Sequence, residues 1–236
     1  MNMNRKGILL AAAGCVFFLV CTLFGRDPMA PRKMTGTWCS LGTSISWYNN
    51  HVAKGRFTRG YQSRVMDVLK FDGFLNPAIN GGVVKGQISA VPKADYYTIE
   101  HGINDWGHST PIGTIEDYNS KTGVTFYASY GKLISKIRTQ NPAAKIILCT
   151  PRRGYGFGSY LPANSDMPKK GIYLKEYAEA VRAIAAKEGF PVADFFNNCG
   201  TDAELKSLSI DVALHPNDEG FQRMANELLR AFAKLD

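Results

Sequence analysis

The sequence predicts an α/β fold, with one five-stranded parallel sheet covered by helices on both faces. A length of 236 residues suits a single domain of this type. Hydrophobic residues make up 45% of the chain and charged residues 20%, which provides enough apolar surface for a core and excludes a disordered chain. Short apolar segments alternate with segments of helical period, and this alternation indicates parallel strands joined by right-handed crossovers.

The predicted strands are short apolar segments that each end in a polar or glycine-containing loop. They are Thr37–Leu41, Phe74–Ile79, Tyr96–Glu100, Lys145–Thr150 and Phe190–Phe195. The predicted helices have apolar residues on one face and lie within residues 56–70, 118–139 and 172–187, and after Asn217. Asn217 is a residue type that caps helix N-termini, so we expect the last helix to begin there.

The N-terminal segment differs from the rest of the chain. Arg5 and Lys6 precede Gly7–Gly25, an uncharged stretch of 19 residues that could span a bilayer as a helix. No small-x-small cleavage site follows cleanly, so an uncleaved signal anchor is favoured over a cleaved signal peptide. Either alternative predicts an exported domain, which is membrane-anchored outside the cytoplasm (periplasmic or extracellular), or secreted after cleavage. The sequence thus divides into a signal anchor or signal peptide (1–25), a linker (26–35) and one main domain (36–236).

Charge and cysteine content argue against two other classes of protein. The net charge is +8, but the basic residues are scattered and form no zinc-finger or RNA-binding signature, so no nucleic-acid partner is predicted. The five cysteines form no CxxC pair and have no metal-ligand spacing, so neither a disulfide framework nor a metal site is expected.

Polar or glycine residues follow the first three predicted strands, and a histidine precedes the last helix. Ser44 follows the first strand, Gly81 the second and Asn104 the third, and His215 lies just before the last helix. Each has a simpler structural explanation alone, as a helix cap, a turn or a solvated side chain. Because loops at the carboxyl ends of parallel strands meet at one edge of the sheet, their order favours a shared site.

These blocks resemble the SGNH (GDSL-like) hydrolase family in order and approximate spacing, from about Trp38 to the C-terminus. The matching blocks are Leu41–Ile45 for the family's Gly-Asp-Ser motif, Asn76–Gly81 for its oxyanion glycine, Gly102–Asp105 for Gly-x-Asn-Asp, and Asp211–Pro216 for its histidine block. The resemblance implies a three-layer α/β/α sandwich of flavodoxin-like type, an esterase activity, and no metal or organic cofactor.

Two positions depart from the family pattern. Thr43 replaces the aspartate that normally precedes the serine. The family's Asp-x-x-His spacing is one residue longer here, so that Val212 occupies the usual acid position and Asp211 lies one step further back. We expect Asp211 to be the acid, because four residues is the offset of one helical turn. Asp194, at the end of the fifth predicted strand, is the alternative.

The expected mechanism uses few side chains. Ser44 is the candidate nucleophile, His215 the base that accepts its proton, and Asp211 the carboxylate that orients the imidazole. The oxyanion would be bound by the backbone N–H groups of Ser44 and Gly81 and by the Asn104 side-chain amide.

The predicted partner is an acylated small molecule or a glycan. Trp106, Arg152 and Tyr155 are the predicted substrate-binding residues, since aromatic rings stack on sugars and arginine can hold an acidic glycan. Residues 154–160, rich in glycine and aromatic residues, are predicted to form a mobile loop over the site. An exported location favours an acetyl ester on carbohydrate. A lipid or lysophospholipid ester is the alternative substrate, and a non-catalytic glycan-binding module that kept the fold is the alternative function.

Overall fold

A computed structural model describes residues 27–53 and 56–235. The predicted signal anchor or signal peptide, Gly7–Gly25, lies outside the described residues. Within the described ranges, no helix has the length and apolar character needed to cross a bilayer.

The order of the strands in the sheet differs from their order along the chain. They are β1 Arg32–Gly42, β2 His51–Ala53, β3 Arg56–Thr58, β4 Leu69–Leu75, β5 Tyr96–Glu100, β6 Lys145–Cys149 and β7 Val192–Ala193. Five of them form a parallel sheet in the order β4-β1-β5-β6-β7, and β2 pairs with β3 in an antiparallel hairpin. This is a doubly wound order of flavodoxin type, with its switch point between β1 and β5, and the predicted fold class is confirmed.

Helices cover both faces of the sheet. They are α1 Ser44–Trp47, α2 Tyr61–Val68, α3 Val84–Gln87, α4 Ile103–Gly107, α5 Ile115–Ser120, α6 Phe126–Gln140, α7 Leu174–Glu188, α8 Phe195–Asn198 and α9 Asp218–Phe232. Successive residues of β6 alternate between two hydrophobic clusters, Ile146 and Leu148 packing with α6 and α7, and Ile147 and Cys149 with α2 and α9. The sheet is therefore the middle layer of three.

Several element boundaries differ from the sequence-based predictions. The second strand of the sheet is Leu69–Leu75, whereas Phe74–Ile79 was predicted; Pro77 has no N–H for a strand ladder, and residues 76–82 form a loop. The predicted linker, 26–35, overlaps the sheet, because β1 begins at Arg32, which pairs with Leu69. The last helix begins where predicted, and the Asn217 side chain accepts a hydrogen bond from the Gly220 N–H.

Candidate active site

The candidate nucleophile lies at the start of α1, directly after β1. Thr43 caps this helix, its hydroxyl oxygen accepting a hydrogen bond from the Ile45 N–H, and Ser44 is the first helical residue. First-turn N–H groups of a helix have no intrahelical acceptor, so the backbone N–H of Ser44 can serve as an oxyanion donor. The side chain of Ser44 is thereby placed at the carboxyl edge of the sheet, beside the switch point.

Ser44, His215 and Asp211 form a continuous hydrogen-bonded arrangement. The Ser44 Oγ lies 3.0 Å from His215 Nε2, and His215 Nδ1 lies 2.5 Å from Asp211 Oδ2. The other carboxylate oxygen of Asp211 accepts the backbone N–H groups of Leu214 and His215, both at 3.0 Å. These bonds close residues 211–215 into one turn, which is how the acid reaches the histidine despite the additional residue.

Electrostatics favour an ionised Asp211. Burial alone would raise the pKa of Asp211, but hydrogen bonds from the His215 ring and from two backbone N–H groups outweigh it and lower that pKa to about 2. An ionised carboxylate on Nδ1 keeps the proton on that nitrogen and leaves Nε2 free to accept the Ser44 proton. The side chains of His215 and Asp211 are only 6% and 1% exposed, so little solvent competes for these bonds.

Asp194, the alternative acid, has a different set of partners. Its carboxylate accepts two hydrogen bonds from Arg182, at 3.0 and 3.1 Å, and one from the Thr150 hydroxyl, and it caps α8. Burial raises its pKa, while Arg182 and the hydrogen bonds together lower it below the usual value. Asp194 therefore joins α7 to α8, and the structure brings Asp211 to His215 instead.

The loop that follows β4 carries the second predicted oxyanion donor. Ile79 N–H donates to the Gly42 carbonyl oxygen at 2.9 Å, which fixes this loop to the end of β1. Gly81 has φ +71°, a backbone conformation that favours glycine, although no atom lies where its Cβ would be.

Asn104, the third predicted donor, lies in the first turn of α4 and contacts that same loop. Its Nδ2 donates to the Gly82 carbonyl oxygen at 3.0 Å, while its Oδ1 accepts the Tyr160 hydroxyl at 3.1 Å. The amide is thus held from both ends, with its N–H₂ directed towards the loop of Gly81. The predicted donors lie at the carboxyl ends of the neighbouring strands β1, β4 and β5.

Two of the three predicted substrate-binding residues, Trp106 and Arg152, are completely buried, which contradicts their prediction as substrate contacts. Trp106 is completely buried, and its Nε1 donates to the Ile172 carbonyl oxygen at 2.9 Å. Tyr155 is 8% exposed, and its hydroxyl donates to a backbone carbonyl oxygen. Arg152 is also fully buried, and its guanidinium donates at 3.3 Å to the carbonyl oxygens of Leu208 and Leu214. Arg152 thus braces the loop that carries Asp211.

Other aromatic residues surround the histidine. The Tyr48 ring lies 4.7 Å from the His215 ring, and the edge-on Phe157 ring lies at 5.7 Å. Trp47, next to Tyr48, stacks on His51 at 4.2 Å. The contact of Phe157 places the predicted loop of residues 154–160 against the candidate base. Trp47 ends α1, Tyr48 directly follows it, and Phe157 lies within a glycine-rich loop. These positions are the sequence signals for the three residues.

Metal and thiol chemistry have no assembled site in the residues that the structure covers. Among them, no three His, Cys, Asp or Glu side chains are placed to hold a metal ion. Cys39, Cys149 and Cys199 are free and buried, and burial raises the pKa of Cys39 and Cys199 to about 12. These thiols are protonated at neutral pH and pack as small apolar side chains.

Fold and site together define a class of protein, a hydrolase of α/β architecture with a serine, histidine and aspartate at the switch point of a doubly wound sheet. The model of the GDSL-like lipase/acylhydrolase family matches residues 40–223. The chain belongs to this family, and its resemblance to SGNH (GDSL-like) hydrolases is confirmed.

Solved structures share this fold. A possible lipase from Chitinophaga pinensis is 27% identical over 85% of this chain and 98% of its own, with a TM-score of 0.73. A lipolytic G-D-S-L protein from Veillonella parvula is 18% identical over 85% of this chain and 100% of its own, with a TM-score of 0.57. A lipase/acylhydrolase from Enterococcus faecalis is 14% identical over 84% and 96%, with a TM-score of 0.59. The last two show the shared fold. No curated protein matches the sequence.

Proposed function

We propose that the protein is a serine esterase that hydrolyses carboxylic esters through an acyl-enzyme at Ser44. The contact that carries this proposal is the 3.0 Å approach of Ser44 Oγ to His215 Nε2. The hydroxyl proton passes to Nε2 as Oγ attacks the ester carbonyl carbon, and the resulting imidazolium is stabilised by Asp211.

The remaining steps use the same groups. The tetrahedral oxyanion accepts hydrogen bonds from the N–H groups of Ser44 and Gly81 and from the Asn104 amide, each worth about 2.7–4 kcal/mol of barrier by analogy with other oxyanion holes. Collapse of this intermediate breaks the ester C–O bond, and the leaving alkoxide takes the proton from His215. Water, deprotonated by His215, then attacks the acyl-enzyme and releases the acid.

The nucleophile can be tested by covalent labelling. A fluorophosphonate probe should modify Ser44, as mapped by peptide mass spectrometry, and the His215→Ala variant should lose labelling because the serine is no longer activated. Ser40 and Ser46 are internal controls, since both are fully buried. An adduct on either of them, or active protein that resists the probe, would contradict the assignment.

We propose an acetyl ester on carbohydrate as the substrate. Support comes from the partly exposed rings of Trp47 and Tyr48 beside Ser44, because aromatic faces with a polar edge suit sugar rings. A lipid ester is the second candidate, favoured by the exposure of Phe157 (38%) and Val212 (52%) next to the site.

Two product assays separate these substrates. Acetate release from a panel of acetylated glycans should exceed fatty-acid release from lysophospholipid, which thin-layer chromatography detects, with Ser44→Ala as the inactive control. Dominant fatty-acid release would favour the lipid esterase. Glycan binding without turnover or labelling would instead indicate the non-catalytic module.

We also propose that residues 1–25 direct export and tether the domain outside the cytoplasm. The support is the uncharged run Gly7–Gly25 after Arg5 and Lys6. Cell fractionation of the full chain should place it in membranes. A soluble exported protein whose mature N-terminus lies near residue 26 would show a cleaved signal peptide.

A further inference from the structure

A buried carboxyl group contacts the turn of residues 43–46, which carries Ser44. Glu100, the last residue of β5, is completely buried. Its Oε2 accepts three hydrogen bonds: from the Thr43 hydroxyl at 2.8 Å, the Thr43 backbone N–H at 3.3 Å and the Ser46 hydroxyl at 3.0 Å. Thr43 and Ser46 lie on either side of Ser44 in sequence, so the same carboxylate oxygen holds both ends of the turn that presents the nucleophile.

Further hydrogen bonds lead to this carboxyl group, and each donor in the series points towards Glu100. Since the Ser46 hydroxyl donates to Glu100, its oxygen accepts the Tyr61 hydroxyl at 2.7 Å. The Tyr61 oxygen in turn faces the Ser40 hydroxyl at 3.4 Å, and Gln62 Nε2 donates to Ser40. A chain of donors from β1 and α2 therefore terminates on one oxygen of Glu100.

We propose that Glu100 is a positioning residue for the nucleophile, supplying from β5 the carboxyl oxygen that Thr43 lacks and so holding Ser44 in line with His215. This inference rests on the proposed esterase function. Asp105, the other buried carboxyl nearby, binds the Val84 N–H and does not replace Glu100.

The role requires an acceptor oxygen and not a negative charge. Burial raises the pKa of Glu100 to about 7, despite the hydrogen bonds from Thr43 and Ser46. The ionisable groups that face it are Tyr61 on α2, Asp105 on α4, Tyr130 on α6 and Cys149 on β6, and none of them is a cation. Oε2 accepts its three bonds in either protonation state, because a proton can reside on Oε1.

Two substitutions separate positioning from folding. Glu100→Gln keeps an acceptor oxygen in the same place, whereas Glu100→Leu keeps the volume and removes the acceptor. Glu227→Leu is the matched control, since Glu227 is a buried carboxyl on α9 that accepts the Asp194 N–H and the Asn198 amide and has no hydrogen bond to the turn of Ser44. Each variant is titrated with fluorophosphonate, and kcat and KM for p-nitrophenyl acetate are expressed per labelled site.

We expect Glu100→Leu to lower kcat per site by at least about 10-fold with KM within about 2-fold of wild type, the pattern of a lost transition-state interaction. Glu100→Gln should keep kcat within about 3-fold of wild type, and Glu227→Leu should change only the fraction of folded protein. A Glu100→Leu variant with wild-type kcat per site, or a Glu100→Gln variant as impaired as Glu100→Leu, would overturn the inference.

If Glu100→Leu does not fold, substitutions of Thr43, whose hydroxyl donates to Glu100, provide the test. Thr43→Val removes the hydroxyl that donates to Oε2, and Thr43→Ser keeps it, so kcat per site should fall in the first variant and recover in the second. Equal kcat values in these two variants would overturn the inference. Wild-type protein that neither hydrolyses the ester nor reacts with fluorophosphonate would instead refute the proposed esterase function.

Discussion

Replacing Asp211 by asparagine tests the acid and its unusual spacing together. The substituted side chain would keep one acceptor oxygen for the backbone N–H groups of Leu214 and His215, which now bind Oδ1 at 3.0 Å. Its amide N–H₂ would then face His215 Nδ1, in the position that the Asp211 Oδ2 now occupies at 2.5 Å. The ring would be driven to the tautomer with its proton on Nε2, which cannot accept the Ser44 proton.

The structure sets the size of the expected stability effect, and the effect on kcat follows from the chemistry of the imidazole. A pKa lowered from 3.8 to about 2 corresponds to about 2 kcal/mol favouring ionised Asp211 in the folded state. The side chain is 1% exposed, so solvent screening does not reduce this value greatly. We therefore expect Asp211→Asn to lose up to about 2 kcal/mol of unfolding free energy at pH 7. We also expect kcat to fall by roughly three to four orders of magnitude, as for a wrong imidazole tautomer.

Urea denaturation and esterase kinetics measure these effects separately. The stabilisation from a lowered pKa is present above pH 3.8 and is lost as pH falls through about 2, so the two proteins should converge in stability at low pH. Asp194→Asn is the matched control, because it breaks the pair with Arg182 and should reduce stability while leaving kcat near wild type. If Asp211→Asn keeps near-full turnover and Asp194→Asn loses several orders of magnitude, the assignment of the acid is wrong. If neither changes turnover, Ser44 and His215 act as a dyad.

Three further substitutions have expected outcomes. Tyr160→Phe removes the hydroxyl that orients the Asn104 amide, and should lower kcat about 10-fold with little change in KM; unchanged kcat in steady-state kinetics would contradict this role. Glu100 has a raised pKa, so its stabilisation is present below pH 4.5 and lost as pH rises through about 7. Glu100→Gln should therefore gain up to about 3 kcal/mol over wild type between denaturation at pH 5 and at pH 8, and parallel pH profiles would refute this. Trp106→Ala should cost about 3–5 kcal/mol of stability without changing KM, because the ring fills the core; a raised KM in a stable variant would restore it as a substrate contact.

The sequence predicted the fold well because buried parallel strands and amphipathic helices leave strong periodic signals. Strand β6 is apolar from Ile146 to its end, and the buried residues of α9 form one apolar face. The second strand was misplaced because Leu69–Leu75 lies at the edge of the sheet and contains Lys70 and Asp72. Such an edge strand continues the polar pattern of the preceding helix and carries little signal of its own.

Site residues were predictable where chain order fixes their place. Ser44 and Asn104 follow neighbouring strands, so topology alone brings their loops to one edge. Trp106 and Arg152 were misassigned because sequence position near a strand end does not tell whether a side chain faces solvent or the core. Glu100 was missed, although a charged residue at the end of an apolar strand requires a buried partner, and this was the available signal.

The chain departs from the family pattern at Thr43 and in the spacing from Asp211 to His215. At each of these places, a carboxyl group binds both backbone and side-chain groups. Asp211 binds two backbone N–H groups in addition to the His215 ring, and Glu100 binds the Thr43 N–H in addition to two hydroxyls. Because each carboxyl group fixes the backbone of a tight turn, the position of Ser44 relative to His215 depends on two turn geometries and not on residue spacing. A longer acid-to-histidine spacing and a threonine before the serine are then compatible with the 3.0 Å contact between Oγ and Nε2. It follows that substitutions which break either turn should separate Ser44 from His215 even when the two residues themselves are intact.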